Sequence, residues 1–444
     1  MPTRPTSRNS KAIPSSRLSR MGRLGALATK VAGNVVTQGA GQLLKGEMPA
    51  LSSLLLTPKN ITHIADQLAS MRGAAMKLGQ LISMDAGDLL PPELAAILGR
   101  LREDADPMPK SQVIEVLDTA WGVNWQQELL YFSFAPVAAA SIGQVHKAIT
   151  LDGKMLAIKV QYPGISKSID SDVDNVATLI KLTGLLPKSL DIAPLLSEAK
   201  KQLHQETDYE REAVMLTQYR EKLFASQAKP YFIVPEIYAP LSTRTVLAMD
   251  YIEAADLDSL LDAPQAIKDE LMTALMSLFF REVFDFQLLQ SDPNLANYKY
   301  NSETQQLVLL DFGATREVPD DIAHLYKAML ISAAQYDRSK MQQTALKIGL
   351  IDDSHTPAQI EAVVDIGMEA CEAIRCEGAY DFGESDLIIR LQDKGMALTT
   401  EHDFWHTPPI DALFIHRKLG GLFLLAKRLG AKVDMRVAAR DWLD

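Results

Sequence analysis

Asp292, Asn297 and the tripeptide Asp311-Phe312-Gly313 stand within 22 residues of one another, embedded in SDPNLAN and VLLDFGATRE. Two carboxylates and a carboxamide in this order have the spacing of the metal-and-phosphate half of a phosphoryl-transfer site. Oxygen donors of this type suit a hard divalent cation such as Mg²⁺. The remainder of such a site needs a lysine for the phosphates, an acid to hold that lysine and a close-fitting backbone over the nucleotide.

Candidates for each lie upstream. Ala157-Ile158-Lys159-Val160 reads as a strand whose lysine steadies α- and β-phosphates. It follows Ala138-Ala139-Ala140-Ser141-Ile142-Gly143, small residues entering a strand as a loop does when its N–H groups approach a phosphate. The turn Asp152-Gly153 makes the whole stretch from Ser133 to Val160 a β-hairpin. Beyond it, Glu206, Asp208, Glu210 and Glu212 crowd two turns of a helix expected to run from Pro194 to about Ala225. On such a helix Glu206 and Glu210 share a face, and one acid of the run is placed to pair with Lys159. The alternative for the run is a solvated charged face.

The supporting elements follow from pattern. Ile165–Leu186 is amphipathic and predicts a helix. Tyr231–Ile237 and Thr245–Tyr251 read as strands, the second passing through Met249, Asp250 and Tyr251 into the place where an adenine edge would be held. Asp269–Phe286 is apolar almost all round and predicts a buried helix. After Pro319 the chain reads as helical, with loops near Ser354–Pro357, Gly378–Gly383 and Thr407–Pro409. A second Asp-Phe-Gly at 381–383 follows no apolar strand and reads as chance. Upstream, 58–104 reads as two helices, with Pro91-Pro92 between them. Periodicity alone makes Lys77, in the first of these, a surface lysine.

At 444 residues the chain exceeds what one hydrophobic core usually serves, so subdomains sharing a cleft are expected. Its 47% apolar and 23% charged residues are globular proportions. A net charge of −11 argues against nucleic acid as a partner. Residues 1–46 nevertheless carry eight Lys and Arg and no acid. They read as a basic arm for an anionic membrane surface or acidic partner, or as a solvated tail. No apolar run is long enough to span a bilayer and no secretory signal is evident. Cys371 and Cys376 suggest neither a disulfide nor a zinc site, so a reducing compartment fits. The expected location is cytoplasmic, with peripheral membrane contact open, or mitochondrial if the source is eukaryotic, since an Arg/Ser-rich leader without acids resembles a transit peptide.

The detailed wording narrows the field. Lys77-Leu78-Gly79-Gln80, AAASIGQVH at 138–146, Glu206-Thr207-Asp208-Tyr209, Arg211-Glu212-Ala213, DPNLAN and LLDFGATRE resemble the ABC1/UbiB/ADCK family of atypical kinases, particularly its ubiquinone-biosynthesis branch. The likeness runs from about residue 60 to the C terminus. It implies an α+β, bilobal protein-kinase-like fold with a small β-rich N-lobe, a helical C-lobe and an N-terminal helical extension. The corresponding divisions are 1–57, 58–132, 133–251 with a helical insertion at 165–187, and 252–444. ATP and Mg²⁺ are the implied ligands.

The resemblance also implies roles. Lys159 pairs with Glu212, Asp292 takes the catalytic-loop position, and Asn297 and Asp311 bind Mg²⁺. Ala138, Ala139, Ala140 and Ser141 cover the nucleotide, with Met249 and Tyr251 at the adenine end. Lys77, Gly79 and Gln80 pack over the active-site mouth and regulate it, with Lys77 facing Glu206 and Asp208. The helix containing Gly33, Gly39 and Gly41 becomes a membrane or homodimer contact. A quinone-like or lipid small molecule and quinone-biosynthesis proteins are implied partners.

Departures from ordinary kinases shape the expected activity. Leu289-Gln290-Ser291 stand where His-Arg would brace the catalytic loop, so that brace is expected to be missing. No Ala-Pro-Glu follows Gly313, so a peptide-docking segment is not expected. The hinge reads Glu253-Ala254-Ala255, without the usual Gly. The leading expectation is an enzyme that hydrolyses ATP or phosphorylates a small or lipid-related acceptor in support of ubiquinone biosynthesis. The alternatives are a protein kinase acting in trans and a nucleotide-gated scaffold.

Overall fold

In this computed structural model the described residues are 107–140, 142–183, 193–292, 294–402, 404, 406 and 408–443. The sites expected at Lys77, Gly79, Gln80 and Ser141, the helices of 58–104, and the basic arm with its glycine helix lie outside them. The chain divides into two compact units, one ending at Arg211 and taking in Ile237–Tyr251, the other comprising Glu212–Glu236 and Ile252 onward.

The first unit opens with α1 (Lys110–Trp121), then β1 (Leu129–Phe132), β2 (Ala138–Ala139), β3 (Gly143–Thr150) and β4 (Met155–Gln161). The β3–β4 hairpin is the expected one, and Gly153 turns it at φ +86°. A hydroxyl–carboxylate bond from Thr150 to Asp152 closes the turn. After α2 (Ile165–Thr183) comes α3 (Ala193–Glu206), then α4 (Tyr209–Ala225), which continues into the second unit. There β5 (Phe232–Ile233) follows before the chain returns to the first unit as β6 (Val246–Asp250). The sheet runs β1-β3-β4-β6, with β2 paired to β3.

The single helix expected over 194–225 is two. Asp208 Oδ1 accepts the Arg211 N–H at 3.0 Å, and Thr207 Oγ1 donates to the His204 carbonyl at 2.9 Å. An N-cap aspartate thus starts α4 afresh, and Glu206 and Glu210 share no helix face. The strand expected over 231–237 shrinks to β5, because Pro235 interrupts the extended run. Ile237 keeps only an isolated bridge to Met249.

The second unit continues with β7 (Ala255–Asp256), α5 (Gln265–Phe284), β8 (Leu288–Gln290), β9 (Tyr298–Asn301), β10 (Gln306–Leu309) and β11 (Thr315–Glu317). Helix α5 buries ten residues, among them Leu271, Leu275, Phe279 and Val283, as its all-round apolarity requires. Sheet β5-β10-β9-β7 includes a β9–β10 hairpin between Asn297 and Asp311. Helices α6 (Asp320–Ala334), α7 (Arg338–Ile348), α8 (Pro357–Ala370), α9 (Glu372–Arg375), α10 (Leu387–Thr400), α11 (Ile410–Leu429) and α12 (Met435–Ala438) complete the unit. The expected all-helical tail has one exception: β12 (Tyr380–Asp381) pairs with β13 (Lys432–Val433). Asp381 of the second Asp-Phe-Gly caps that corner by accepting the N–H groups of Gly383 and Glu384.

Candidate functional site

In the second unit the motif residues converge because two ladders fold the chain back on itself. Strand β8 pairs antiparallel with β11, Gln290 opposite Thr315, which draws the residues before Asp292 beside those after Gly313. The β9–β10 hairpin closes the other side, and Leu310 N–H donates to the Asn297 carbonyl at 2.8 Å. Asp292, Asn297 and Asp311 are therefore neighbours although the last two are 14 positions apart.

Asn297 is buried and its Nδ2 donates to the Asp292 carbonyl at 3.4 Å. Asp311 takes a left-handed backbone, φ +60°, a conformation that costs a non-glycine residue of order 1 kcal/mol or more. Buried Gln290 supports it, with Nε2 donating to the carbonyls of Leu310 at 2.7 Å and Asp311 at 2.9 Å. Glu212, in the first turn of α4 and 1% exposed, reaches the same place. A Cβ on Gly313 would lie 3.3 Å from both Glu212 Oε2 and Asp311 Oδ1, so the glycine makes room for two carboxylates at one point. Carboxylate and carboxamide oxygens are donors of the kind that suits Mg²⁺.

The loop has a brace other than the usual His-Arg one. Gln290 and Ser291 supply one from within, since Ser291 Oγ donates to the Ala314 carbonyl at 2.7 Å. Helix α11 supplies the rest. Arg417 Nη2 lies 3.1 Å from Asp292 Oδ1, and Lys418 Nζ donates to the Gln290 carbonyl at 3.0 Å and to Tyr298 Oη at 2.9 Å. Lys418 also faces the fully buried Glu282 at 3.4 Å, and Glu282 accepts Tyr219 Oη–H at 2.7 Å. The Tyr219 ring packs 4.9 Å from that of Phe312. Burial pushes the Glu282 carboxyl up, against the pull of Lys418. For Lys418 burial is the largest effect and opposes the charge, but Glu282 and Tyr298 outweigh it and hold the ammonium above its usual range.

None of Gln290, Arg417, Lys418 or Glu282 was expected from sequence. The signal was present: Lys418 falls on the stripe Phe414, Leu422, Leu425 and Leu429, and Glu282 on that of Leu275, Leu278 and Phe279. A charge on an apolar stripe announces a buried partner.

In the first unit Lys159 sits mid-strand on β4 between Val145 and Leu247, 6% exposed, with Nζ 5.2 Å from the centre of the Tyr209 ring. Ala138 and Ala139 form exposed β2, and Ala140 N–H closes the turn onto the Gly143 carbonyl at 2.9 Å. The N–H of Ala140 is thereby engaged within the hairpin. Met249 is buried opposite Ala157, and Tyr251 N–H donates to the Met155 carbonyl at 3.0 Å. Glu206 is buried at the end of α3, and Asp208 is the cap already described.

The second half of the AAASIGQVH motif is structural. Gln144 Oε1 accepts Met108 N–H at 2.9 Å, its Nε2 lies 3.0 Å from His146 Nε2, and His146 Nδ1 donates to the Ser133 carbonyl at 2.8 Å. Burial holds this imidazole below its usual pKa, outweighing the Ser133 bond.

An antiparallel sheet carrying a buried lysine, and a mainly helical unit carrying an Asp–Asn–Asp set on a braced loop, define an α+β protein of the kinase-like class. Comparison narrows this. The sequence model of the ABC1 atypical kinase-like domain matches residues 100–345. The protein named "Atypical kinase COQ8, mitochondrial" of Saccharomyces cerevisiae is 34% identical over 426 residues, 96% of this chain and 84% of that one. "Atypical kinase COQ8B, mitochondrial" of Rattus norvegicus is 34% identical over 433 residues, 97% and 81% of the two chains. Among solved structures, the Rv3197–erythromycin complex from Mycobacterium tuberculosis superposes with a TM-score of 0.58 at 23% identity, over 94% of this chain and 98% of that one, a likeness of fold. The chain belongs to the ABC1 atypical kinase-like family, and the family and fold class read from its motifs are borne out. Among the described residues no helix is long and apolar enough to cross a membrane.

Proposed function

We propose that this protein binds Mg-ATP and either hydrolyses it or passes its γ-phosphoryl group to a small or lipid-related acceptor, in support of ubiquinone (coenzyme Q) biosynthesis. The observation that carries the reading is Asp311, held left-handed by Gln290 beside Glu212 and Asn297. Strain of this kind persists only where surrounding bonds over-determine it, and it gathers at working sites. Asn297 and Asp311 are the residues that would hold Mg²⁺, which would supply charge neutralisation at the phosphates.

The chain's own groups do the rest. Arg417 fixes the carboxylate of Asp292, which orients water or an acceptor hydroxyl. Gln290 and Lys418 fix the loop on which Asp292 stands. Lys159 is the residue to steady the phosphates. Positioning and charge are nearly all that phosphoryl transfer asks of a protein.

The shortness of the segment after Gly313 favours a small acceptor over a polypeptide. Residues 314–319 go straight from the motif through β11 to α6, leaving no stretch on which a peptide would dock. Regulation by Lys77 and Gln80 belongs to the same reading.

The test is phosphate release and phosphoryl transfer by purified protein, with and without quinone-like phenols and anionic liposomes. Mg²⁺-dependent turnover lost in Lys159→Ala and Asp311→Asn is the expected result. Turnover no higher than in those variants under every condition overturns the reading. Efficient transfer to polypeptides instead establishes the protein-kinase alternative.

A further inference from the structure

Away from the catalytic loop, the second unit brings together Asp352, His355 and His406. One ligand nitrogen from each imidazole and a carboxylate oxygen lie within 4.8 Å of one another. Asp352 and His355 belong to the turn between α7 and α8, while His406 comes from the segment before α11. The two places are joined by nothing local in sequence, so the cluster is a tertiary arrangement.

The hydrogen bonds around His406 fix what it offers. Its Nε2 lies 2.8 Å from the Gly349 carbonyl, which can only accept, so Nε2 carries the hydrogen. The neutral ring therefore presents a lone pair at Nδ1, and that nitrogen faces Asp352 Oδ2 at 3.9 Å. A cation between that nitrogen and the carboxylate, whether a metal ion or a proton, makes the arrangement favourable. An imidazole whose far N–H is spent on a backbone carbonyl is also how a metal-binding histidine is oriented.

His355 completes the set from the other side. Its Nδ1 is 3.1 Å from Asp352 Oδ1, 2.9 Å from the Asp352 backbone nitrogen and 3.2 Å from the Asp352 carbonyl oxygen; a ring nitrogen serves only one of the last two, and a metal takes the tautomer in which Nδ1–H donates to the carbonyl and Nε2 keeps its lone pair. The two imidazole planes cross at 87° with centres 5.0 Å apart, and Phe404 packs 4.6 Å from His355. The imidazoles are largely covered, with side chains 12% and 23% exposed, whereas Asp352 stands at the rim at 51%. Ser354 fixes the Asp352 carboxylate, its N–H donating to Oδ1 at 2.8 Å. The start of α8 is anchored by a capping box between Thr356 and Gln359, and Gln359 Nε2 donates across to the His402 carbonyl at 2.8 Å.

We propose that Asp352, His355 and His406 bind one divalent transition-metal ion of the zinc type, clasping the turn before α8 to the segment before α11. Two imidazole nitrogens and one carboxylate oxygen are a borderline-soft set that takes Zn²⁺ and leaves a position for water at the exposed rim. It differs in kind from the all-oxygen set of Asn297 and Asp311, so Mg²⁺ should pass it by. Helix α11 carries Arg417 and Lys418, and an ion at its approach would steady the helix that braces Asp292.

The test uses the full chain without a tag, stripped with chelator and desalted. Zn²⁺ is titrated against a chromophoric competitor, and melting is followed with Zn²⁺ or Mg²⁺ added. The expected result is one Zn²⁺ per chain, a melting temperature raised by Zn²⁺ and not by Mg²⁺, and binding weakened about tenfold or more in Asp352→Asn, His355→Gln and His406→Gln. Asp352→Asn keeps the oxygen that Ser354 needs, so it remains informative where a histidine variant fails to fold. Co²⁺ added to the wild type gives a reading independent of any variant, an intense visible spectrum expected of a low-coordinate nitrogen–oxygen site. Unchanged Zn²⁺ binding in the folded variants, no uptake by the wild type, or a Co²⁺ spectrum no stronger than the aqueous ion each overturns the proposal. So does an imidazole that titrates with protons while taking up no metal.

Discussion

Arg417 Nη2 stands 3.1 Å from Asp292 Oδ1, although the two are 125 positions apart in sequence. The guanidinium comes from α11 and meets a carboxylate on the loop after β8. The neighbouring Lys418 reaches the same loop through the Gln290 carbonyl. Two consecutive cations of one helix thus hold the loop at two points, one at the reacting side chain and one at the backbone.

Arg417→Lys tests the first of these points. A lysine keeps the charge but loses the planar fork, so the carboxylate of Asp292 is no longer fixed in direction. Turnover should fall by about ten- to a hundredfold, with the KM for ATP changed far less, because misplacement of a positioned group acts on the chemical step. Equal losses in kcat and in nucleotide affinity would instead make Arg417 a nucleotide contact. Steady-state kinetics with a thermal melt separates the cases.

Lys418→Met tests the second. It leaves Glu282 buried without its cation, which costs about 3–5 kcal/mol where a buried pair is broken from one side. Adding Glu282→Gln removes the stranded charge yet keeps an acceptor for Tyr219. The double variant should recover about 1–3 kcal/mol of that loss in urea unfolding. Strict additivity of the two single losses would mean that the pair is not coupled.

These residues also mark where sequence reading stopped. Asp292, Asn297 and Asp311-Phe312-Gly313 were legible because their types and order are dictated by the chemistry of metal and phosphate, and the β3–β4 hairpin because Asp152-Gly153 admits few conformations. The support was hidden by distance, since nothing near Asp292 in sequence points to α11. The break at Thr207-Asp208 was hidden by composition. Asp208 looked like one acid among four, although an aspartate three residues before Arg211 is also a helix start. The β9–β10 hairpin went unread because Tyr298–Asn301 is too polar for a clear strand alternation.

Stability should depend on pH through His146. Its folded pKa lies below the ordinary 6.5 because the ring is buried, so between those two values the unfolded chain binds more protons. Stability from this group is therefore complete above about pH 6.5 and is lost as pH falls through that window. Comparing urea unfolding at pH 7.5 and 5.5, the wild type should lose more stability than His146→Gln, which has no ring to charge. Identical losses would show that His146 does not titrate between folded and unfolded states.

Gly143 permits a close crossing that any side chain would block. A Cβ there would meet the Val160 carbonyl oxygen at 2.3 Å, a backbone atom that moves only if the β3–β4 pairing moves. Gly143→Ala should cost about 1–3 kcal/mol. Gly420→Ala, on α11 where a Cβ meets nothing within 4 Å, is the control and should be neutral or stabilising by up to about 1 kcal/mol. Chemical denaturation of both variants checks the pair, and equal behaviour would contradict the crossing.

Gln290 joins strain to function. Its amide donates to the carbonyls of Leu310 and Asp311, and Asp311 sits at φ +60°. Gln290→Leu keeps the volume and removes both donors, leaving two carbonyls without that partner. The stability cost should be about 1–3 kcal/mol. If the left-handed Asp311 is what presents its carboxylate to the metal, the Mg²⁺ concentration needed for half-maximal turnover should rise by about tenfold or more, a rise that a purely structural defect would not produce in the folded fraction. Normal Mg²⁺ dependence in a destabilised but folded Gln290→Leu protein would detach the backbone strain from the metal site.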